Sequence, residues 1–317
     1  MRILVLGAGG VGGYFGGRLV EAGGDVTFLV REKRAELLRR IGLVIHSPLG
    51  DFAAPIRLET RDSVRPEYDL ALLSCKAYDL DDAIASLARG LAPHGRVVPL
   101  LNGLAHMDRL DAAFGRQRVV GGLCHISVTM GPGGAIEHLN RIHRITYGER
   151  GSGLPHDEPS STGNSADLTH LDALFAKTSV DADHSGEIMR RIWEKYVFLA
   201  TLAALTCLMR APVGAILQSR DGRGALLETL ETCRRIAVLA GHPPSESAMA
   251  AAERSLTEEG SALKASMLRD IERGGPTEGE HIVGDMVRLA DAHGLPCPPL
   301  RLALAHLQAY EGQRLAG

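Results

Sequence analysis

Residues 2–12 read Arg2-Ile3-Leu4-Val5-Leu6-Gly7-Ala8-Gly9-Gly10-Val11-Gly12. A short β-rich run ends in a glycine cluster, and the pattern turns helical through Tyr14, Phe15, Leu19 and Val20. Glycines spaced G-x-G-x-x-G between a strand and a helix form a dinucleotide fingerprint rather than a merely flexible loop. Gly7 permits the tight turn, Gly9 lets the backbone approach a pyrophosphate, and Gly12 lets helix and strand touch. The N–H groups at the start of the helix, Gly10 and Val11 among them, face the anion.

Working outward, a second strand over residues 25–30 ends at Arg31. Folds that bind NAD usually offer a carboxylate there to the ribose hydroxyls, whereas a guanidinium suits a 2′-phosphate. Arg31, with Lys33 and Arg34 close behind and no carboxylate at the strand end, predicts NADP(H). The plainer reading, a solvated helix start, competes with it.

Strand-like runs recur at 68–74, 96–101 and 118–123 with helical segments between them, which predicts a parallel sheet wrapped by helices. Residues 126–147 lack a helical period and are expected to add antiparallel strands at the sheet edge. Residues 150–166 are rich in turn formers and read as an exposed loop, followed by a helix over 167–176 and a short strand near Val180. From Glu187 the pattern is helical, broken at 241–244, 274–276 and 296–299, with no fixed repeat. The expected fold is an α/β N-terminal Rossmann-like dinucleotide-binding domain, 1–180, followed by a mostly α-helical substrate domain, 181–317.

The length of 317 residues also favours two domains, since single cores stop growing near about 250–300 residues. A net charge of −3, with Lys and Arg spread along the chain, gives no electrostatic footprint for nucleic acid or an anionic membrane. The cysteines Cys75, Cys124, Cys207, Cys233 and Cys297 are odd in number and never form C-x-x-C, which argues against a disulfide framework or structural zinc and for a reducing cytoplasm. The N-terminus carries no signal-peptide pattern. The apolar stretch 196–209 is shorter than the roughly 20 residues that cross a bilayer and is expected in the second domain's core.

Reducing a ketone leaves negative charge on oxygen, so a proton donor and a cation are needed near it, and a lysine serves as both. Lys195, within Ile192-Trp193-Glu194-Lys195-Tyr196-Val197-Phe198, opens the apolar helix, where partial burial would lower its pKa. A snorkelling helix-end lysine is the bland alternative. Lys76 and Asn102 each follow a strand-like run, at the sheet edge where ligands collect in open α/β folds. Ser266 and Glu278 flank a helix and its Gly-Gly-Pro break, and taken alone read as surface residues. Glu278 and His281 make one Glu-x-x-His, but carboxylate-bridged metal sites use that pattern twice, so no metal is expected.

The glycine fingerprint, Cys75-Lys76-Ala77, Leu101-Asn102-Gly103, Trp193-Glu194-Lys195 and the stretch from Ser266-Met267-Leu268-Arg269-Asp270 to Thr277-Glu278 together resemble the ketopantoate reductase family. The resemblance spans nearly the whole chain. It implies a Rossmann domain and a helical domain enclosing a small keto acid, with NADPH reducing 2-dehydropantoate to pantoate for pantothenate biosynthesis. A homodimer is left open. By resemblance, Lys195 matches the catalytic lysine that protonates the alkoxide, and Glu278 the carboxylate that binds the substrate's hydroxyl end and supports catalysis. Asn102 and Lys76 match residues lining the nicotinamide and substrate region, Ser266 a contact to the substrate carboxylate, and Arg31 the residue selecting the 2′-phosphate. Where the family places asparagines one and two turns after the lysine, this chain has Leu199 and Ala203, and a third aligns near Val213. Losing such amides changes which ligand leaves no polar atom unpaired, so a less polar keto acid is a second expectation. Two other readings compete: a β-hydroxyacid or 6-phosphogluconate-type dehydrogenase, whose glycine-rich helix start is absent before Lys195, and a non-catalytic NADP-binding sensor.

Overall fold

A computed structural model of the chain describes residues 1–151 and 166–316. The chain divides into two compact units, Met1–Leu101 with Met107–Ile188, and Asn102–His106 with Met189–Gly317.

The first unit is built on β1 (Arg2–Leu6), α1 (Gly10–Glu21), β2 (Asp25–Leu29), α2 (Glu32–Ile41), β3 (Leu43–His46), β4 (Phe52–Ala54), β5 (Arg57–Glu59), β6 (Tyr68–Leu73), α3 (Leu80–Gly90), β7 (Leu91–Pro99) and α4 (His106–Phe114), continuing with β8 (Gly121–Met130), β9 (Ile136–Gly148), α5 (Ala166–Phe175) and β10 (Asp181–His184). Strands β5-β2-β1-β6-β7 form one parallel sheet, with Val5 opposite Phe28 and Leu72 in register across β1. Such a sheet is covered on both faces, which is why β1 and β6 are apolar at consecutive positions instead of alternating. Ile3, Leu4, Val5, Leu70, Leu72 and the α1 residues Tyr14, Phe15 and Leu19 are fully buried.

A second sheet, ordered β10-β9-β3-β4, has β8 paired antiparallel to β9. The antiparallel pairing expected over 126–147 is present, but in this separate sheet. The run at 118–123 is likewise not another strand of the parallel sheet. Val119 makes a single bridge to Val97, and from Gly121 the chain pairs with β9, whose 13 residues offer a far longer partner. The loop expected over 150–166 lies, apart from its ends, outside the described residues. The helix and strand expected after it are α5 and β10, and β10 pairs with β9 within the first unit, beyond the expected boundary at 180.

The second unit is helical: α6 (Ile188–Met209), α7 (Val213–Leu217), α8 (Gly222–Leu239), α9 (Glu246–Leu256), α10 (Ser266–Glu272), a π-helical turn (Glu280–Gly284) running into α11 (Asp285–Ala292), and α12 (Pro298–Ala316). The three breaks expected from sequence fall between α8 and α9, after α10, and before α12. Helix α6 is long and apolar enough to span a bilayer, but 67% of its most apolar window is buried. Ala200, Ala204 and Cys207 pack with Leu226, Cys233, Ile236, Met286 and Leu300 in the core of this unit. Its apolarity is accounted for by helix-on-helix burial.

Candidate active site

In the first unit the fingerprint takes the shape its spacing requires. Gly7 has φ +91°, a conformation L side chains rarely adopt. A Cβ on Gly9 would meet nothing within 4 Å, leaving open space beside the turn. A Cβ on Gly12 would strike Ser74 Oγ and the Gly7 carbonyl, so the first turn of α1 lies directly on the ends of β1 and β6. No acidic side chain occupies that first turn. An open cradle at a helix N-terminus free of carboxylates fits the pyrophosphate of a pyridine dinucleotide.

Arg31 stands at the end of β2 as the N-cap of α2. The expectation that no carboxylate neighbours it is incorrect. Its Nη2 donates to Asp79 Oδ1 at 2.6 Å and lies 3.7 Å from Asp82 Oδ2. Asp79 ends the short 3₁₀ turn Ala77–Asp79 that follows Lys76, itself half-buried with an extended backbone. Arg34, grouped with Arg31 as a phosphate-facing cation, is committed to the backbone. Its guanidinium donates to the Ala8 carbonyl at 2.9 and 3.2 Å and to the Gly134 carbonyl at 3.0 Å, and burial lowers its pKa. Lys33 is exposed.

In the second unit Lys195 Nζ donates to Asn102 Oδ1 at 2.9 Å, uniting two residues 93 apart in sequence. Successive side chains of a helix point about 100° apart, and the neighbours of Lys195 are each fastened elsewhere. The Trp193 ring stacks on His242, 5.3 Å between centroids. Glu194 accepts from the backbone N–H and the hydroxyl of Ser245, at 3.1 and 2.6 Å. Tyr196 places its hydroxyl 2.8 Å from the Ile282 carbonyl and 3.1 Å from Asp285 Oδ2, and burial raises its pKa well above the usual value. With α6 pinned on three sides, the direction of Lys195 is fixed by the fold.

Asn102 is followed by Gly103, φ +82°, where a Cβ would come within 3.3 Å of His281. His281 lies one turn after Glu278, and the Ile282 N–H bonds the Glu278 carbonyl at 3.0 Å, so Glu278 and His281 share a helical face. Glu278 is buried, at 6% exposure. Its turn therefore packs onto the Asn102–Gly103 turn that Lys195 also reaches. Sequence reasoning missed His106, fully buried, whose Nδ1 is 3.3 Å from His281 Nε2 with the rings stacked. Its spacing four residues after Asn102 is the only local signal for it. Ser266 opens α10 at an exposed position beside the buried Met267 and Leu268. Leu199 and Ala203 follow Lys195 at i+4 and i+8, half-buried and buried, so the face of α6 that carries the lysine continues as an apolar one. Val213, wholly buried, opens α7. Among the described residues, no three His, Cys, Asp or Glu side chains are grouped to hold a metal ion.

A parallel-sheet unit with a dinucleotide cradle, joined to a helical unit bearing a fixed lysine, defines a two-domain oxidoreductase. The family model described as ketopantoate reductase PanE/ApbA matches residues 3–152, and its C-terminal counterpart matches residues 187–311. The chain belongs to the ketopantoate reductase family, pyridine-nucleotide-dependent reductases of keto acids. It is 35% identical, over 99% of its length and 100% of the relative's, to the Bacillus subtilis protein named "Uncharacterized oxidoreductase YkpB". A 2-dehydropantoate 2-reductase of Nostoc sp. is 24% identical over 100% of this chain and 97% of that one. The crystal structure of a PanE/ApbA family ketopantoate reductase from Ralstonia eutropha JMP134 superposes with a TM-score of 0.86 at 25% identity, covering 99% of this chain and 100% of that one.

Proposed function

We infer that the chain reduces a 2-keto acid to the 2-hydroxy acid with NADPH, Lys195 acting as the proton donor. The observation that carries this reading is the Lys195–Asn102 hydrogen bond on a helix pinned by its other side chains. A bound reduced nicotinamide supplies the hydride to the keto carbon. Lys195 places its ammonium toward the developing alkoxide, lowers the cost of that charge, and delivers the proton that completes the hydroxyl. Asn102 orients the ammonium, Glu278 anchors the substrate's far end, and Ser266 receives the substrate carboxylate. The glycine turn from Gly7 to Gly12 holds the pyrophosphate, Lys76 lies at the nicotinamide side, and Arg31 meets the 2′-phosphate.

The family's namesake substrate is 2-dehydropantoate, and the buried carboxylate of Glu278 suits its hydroxyl. The apolar Leu199, Ala203 and Val213 favour a relative without that hydroxyl. Trimethylpyruvate differs from ketopantoate by this one group, so kcat/KM for the pair is the test. A site built to hydrogen-bond a substrate hydroxyl rejects the analogue lacking it by about 10⁴–10⁵, whereas an apolar pocket discriminates by only about 10². The expected ratio lies within about 10² of unity. A preference for ketopantoate near about 10⁴ would show that Glu278 or another polar group binds the hydroxyl despite the missing amides. Pantoate synthesis and cytoplasmic residence belong to the same proposal, the latter supported by five cysteines that are all free thiols.

A further inference from the structure

The carboxyl ends of β2 and β6 flank β1, whose end is the glycine turn. The Arg31–Asp79 ion pair joins those two ends across the cradle, at 2.6 Å and with the Arg31 side chain 69% exposed. Asp82, 3.7 Å from Arg31 on its other oxygen, is shared with Arg61 at 3.1 Å, so Asp79 is the principal partner. Arg34 is spent on the Ala8 and Gly134 carbonyls. The position that would receive the ribose 2′ group thus presents a guanidinium already neutralised by a carboxylate, rather than an uncommitted cation.

We propose that Asp79 is the cofactor-specificity residue of this chain, holding Arg31 so that NADH and NADPH are both accepted. A 2′-phosphate has to compete with Asp79 for the guanidinium and sits beside its charge. A ribose 2′-hydroxyl meets no such repulsion and finds a carboxylate able to accept a hydrogen bond from it, as carboxylates do in NAD sites. To pair with Arg31 a 2′-phosphate must first displace Asp79 from the guanidinium, and giving up that charge-assisted hydrogen bond corresponds to roughly a tenfold change in affinity. This inference rests on the reading of the first unit as a pyridine-nucleotide site.

Titrating the full-length protein with NADPH and with NADH, following nicotinamide fluorescence in the absence of keto acid, tests it without turnover. In Asp79→Asn the ratio of the two dissociation constants should move about tenfold toward NADPH. In an Arg31→Ala background the same substitution should move it less than about threefold, because the effect passes through the guanidinium. An unchanged ratio in Asp79→Asn, a shift toward NADH, or a full shift persisting without Arg31 would overturn the proposal while leaving the dinucleotide reading intact. Failure of the parent to bind either nucleotide would overturn both.

Discussion

Lys195 and Asn102 meet through one hydrogen bond of 2.9 Å, and the chemistry assigned to the lysine depends on that direction being kept. Asn102→Ala should weaken dinucleotide binding by less than about threefold and lower kcat by about 10–100-fold, since small misplacements of a catalytic group cost up to about 10². Single-turnover kinetics beside a nucleotide titration separates the two effects, and unaltered kcat would remove Asn102 from the site. Lys195→Arg keeps a positive charge that cannot be given up as a proton near neutral pH. KM for the keto acid should then stay close to that of the parent while kcat falls by about 10²–10⁴. A variant that retains kcat would show that the lysine acts by charge alone. At this scale the sequence disclosed types better than partners. Arg31 was legible as the cation ending β2, but Asp79, 48 residues away, was not, because it reaches Arg31 only through the order of strands in the sheet. Arg34 reads like Arg31 in a charge run and differs only in the carbonyls the fold sets before it.

The elements that carry the site are held by close contacts between them. Gly12→Ala would press a methyl group onto Ser74 Oγ and the Gly7 carbonyl, forcing the first turn of α1 away from β1 and β6. Overpacking of this kind costs about 1–3 kcal/mol and here should also weaken dinucleotide binding. Thermal melts with and without nucleotide would show both losses, and a variant that binds as the parent does would contradict the tight packing. Ser245 caps α9 through the Ala248 N–H and also holds Glu194. Removing its hydroxyl should cost about 1 kcal/mol, or roughly 2–4 °C in melting temperature. Helix breaks at glycine and proline were legible because they depend on local backbone chemistry. The second sheet was legible only in its antiparallel β8–β9 pair, since β3 and β4 span four and three residues and Ile45 finds its partner at Ile136. Strands that short show no period, and pairings that distant leave no mark on neighbouring residues.

Across the whole molecule, each unit buries phenol or thiol side chains in their neutral form. Tyr147 in the first unit, raised by burial and by Asp172, and Tyr196 in the second stay protonated well above the usual tyrosine value. Burial pushes the Cys207 and Cys233 thiols up to about 12. Above the unfolded values, about 8.5 for thiols and 10 for phenols, the unfolded chain has released protons that the folded chain keeps. These contributions are therefore complete below about pH 8.5 and decline as pH rises toward the folded values. Melting temperature should drop steeply above about pH 10, and less steeply in Tyr196→Phe once its lower starting stability is allowed for. A flat profile would mean that these groups are solvated. The two-unit plan was legible from the glycine fingerprint at one end and the helical period at the other. The extent of each unit was less so, because the strand expected near Val180 runs on to His184 and pairs with β9 inside the first unit. The most direct measurement is loss of nicotinamide absorbance when NADPH is mixed with ketopantoate or trimethylpyruvate, parent and Lys195→Ala side by side. Turnover by the parent, reduced by about 10²–10⁴ in the variant with nucleotide binding retained, is the expected result. Equal turnover by the two proteins, or none by the parent on any keto acid while it still binds nucleotide, would contradict a lysine-dependent reductase.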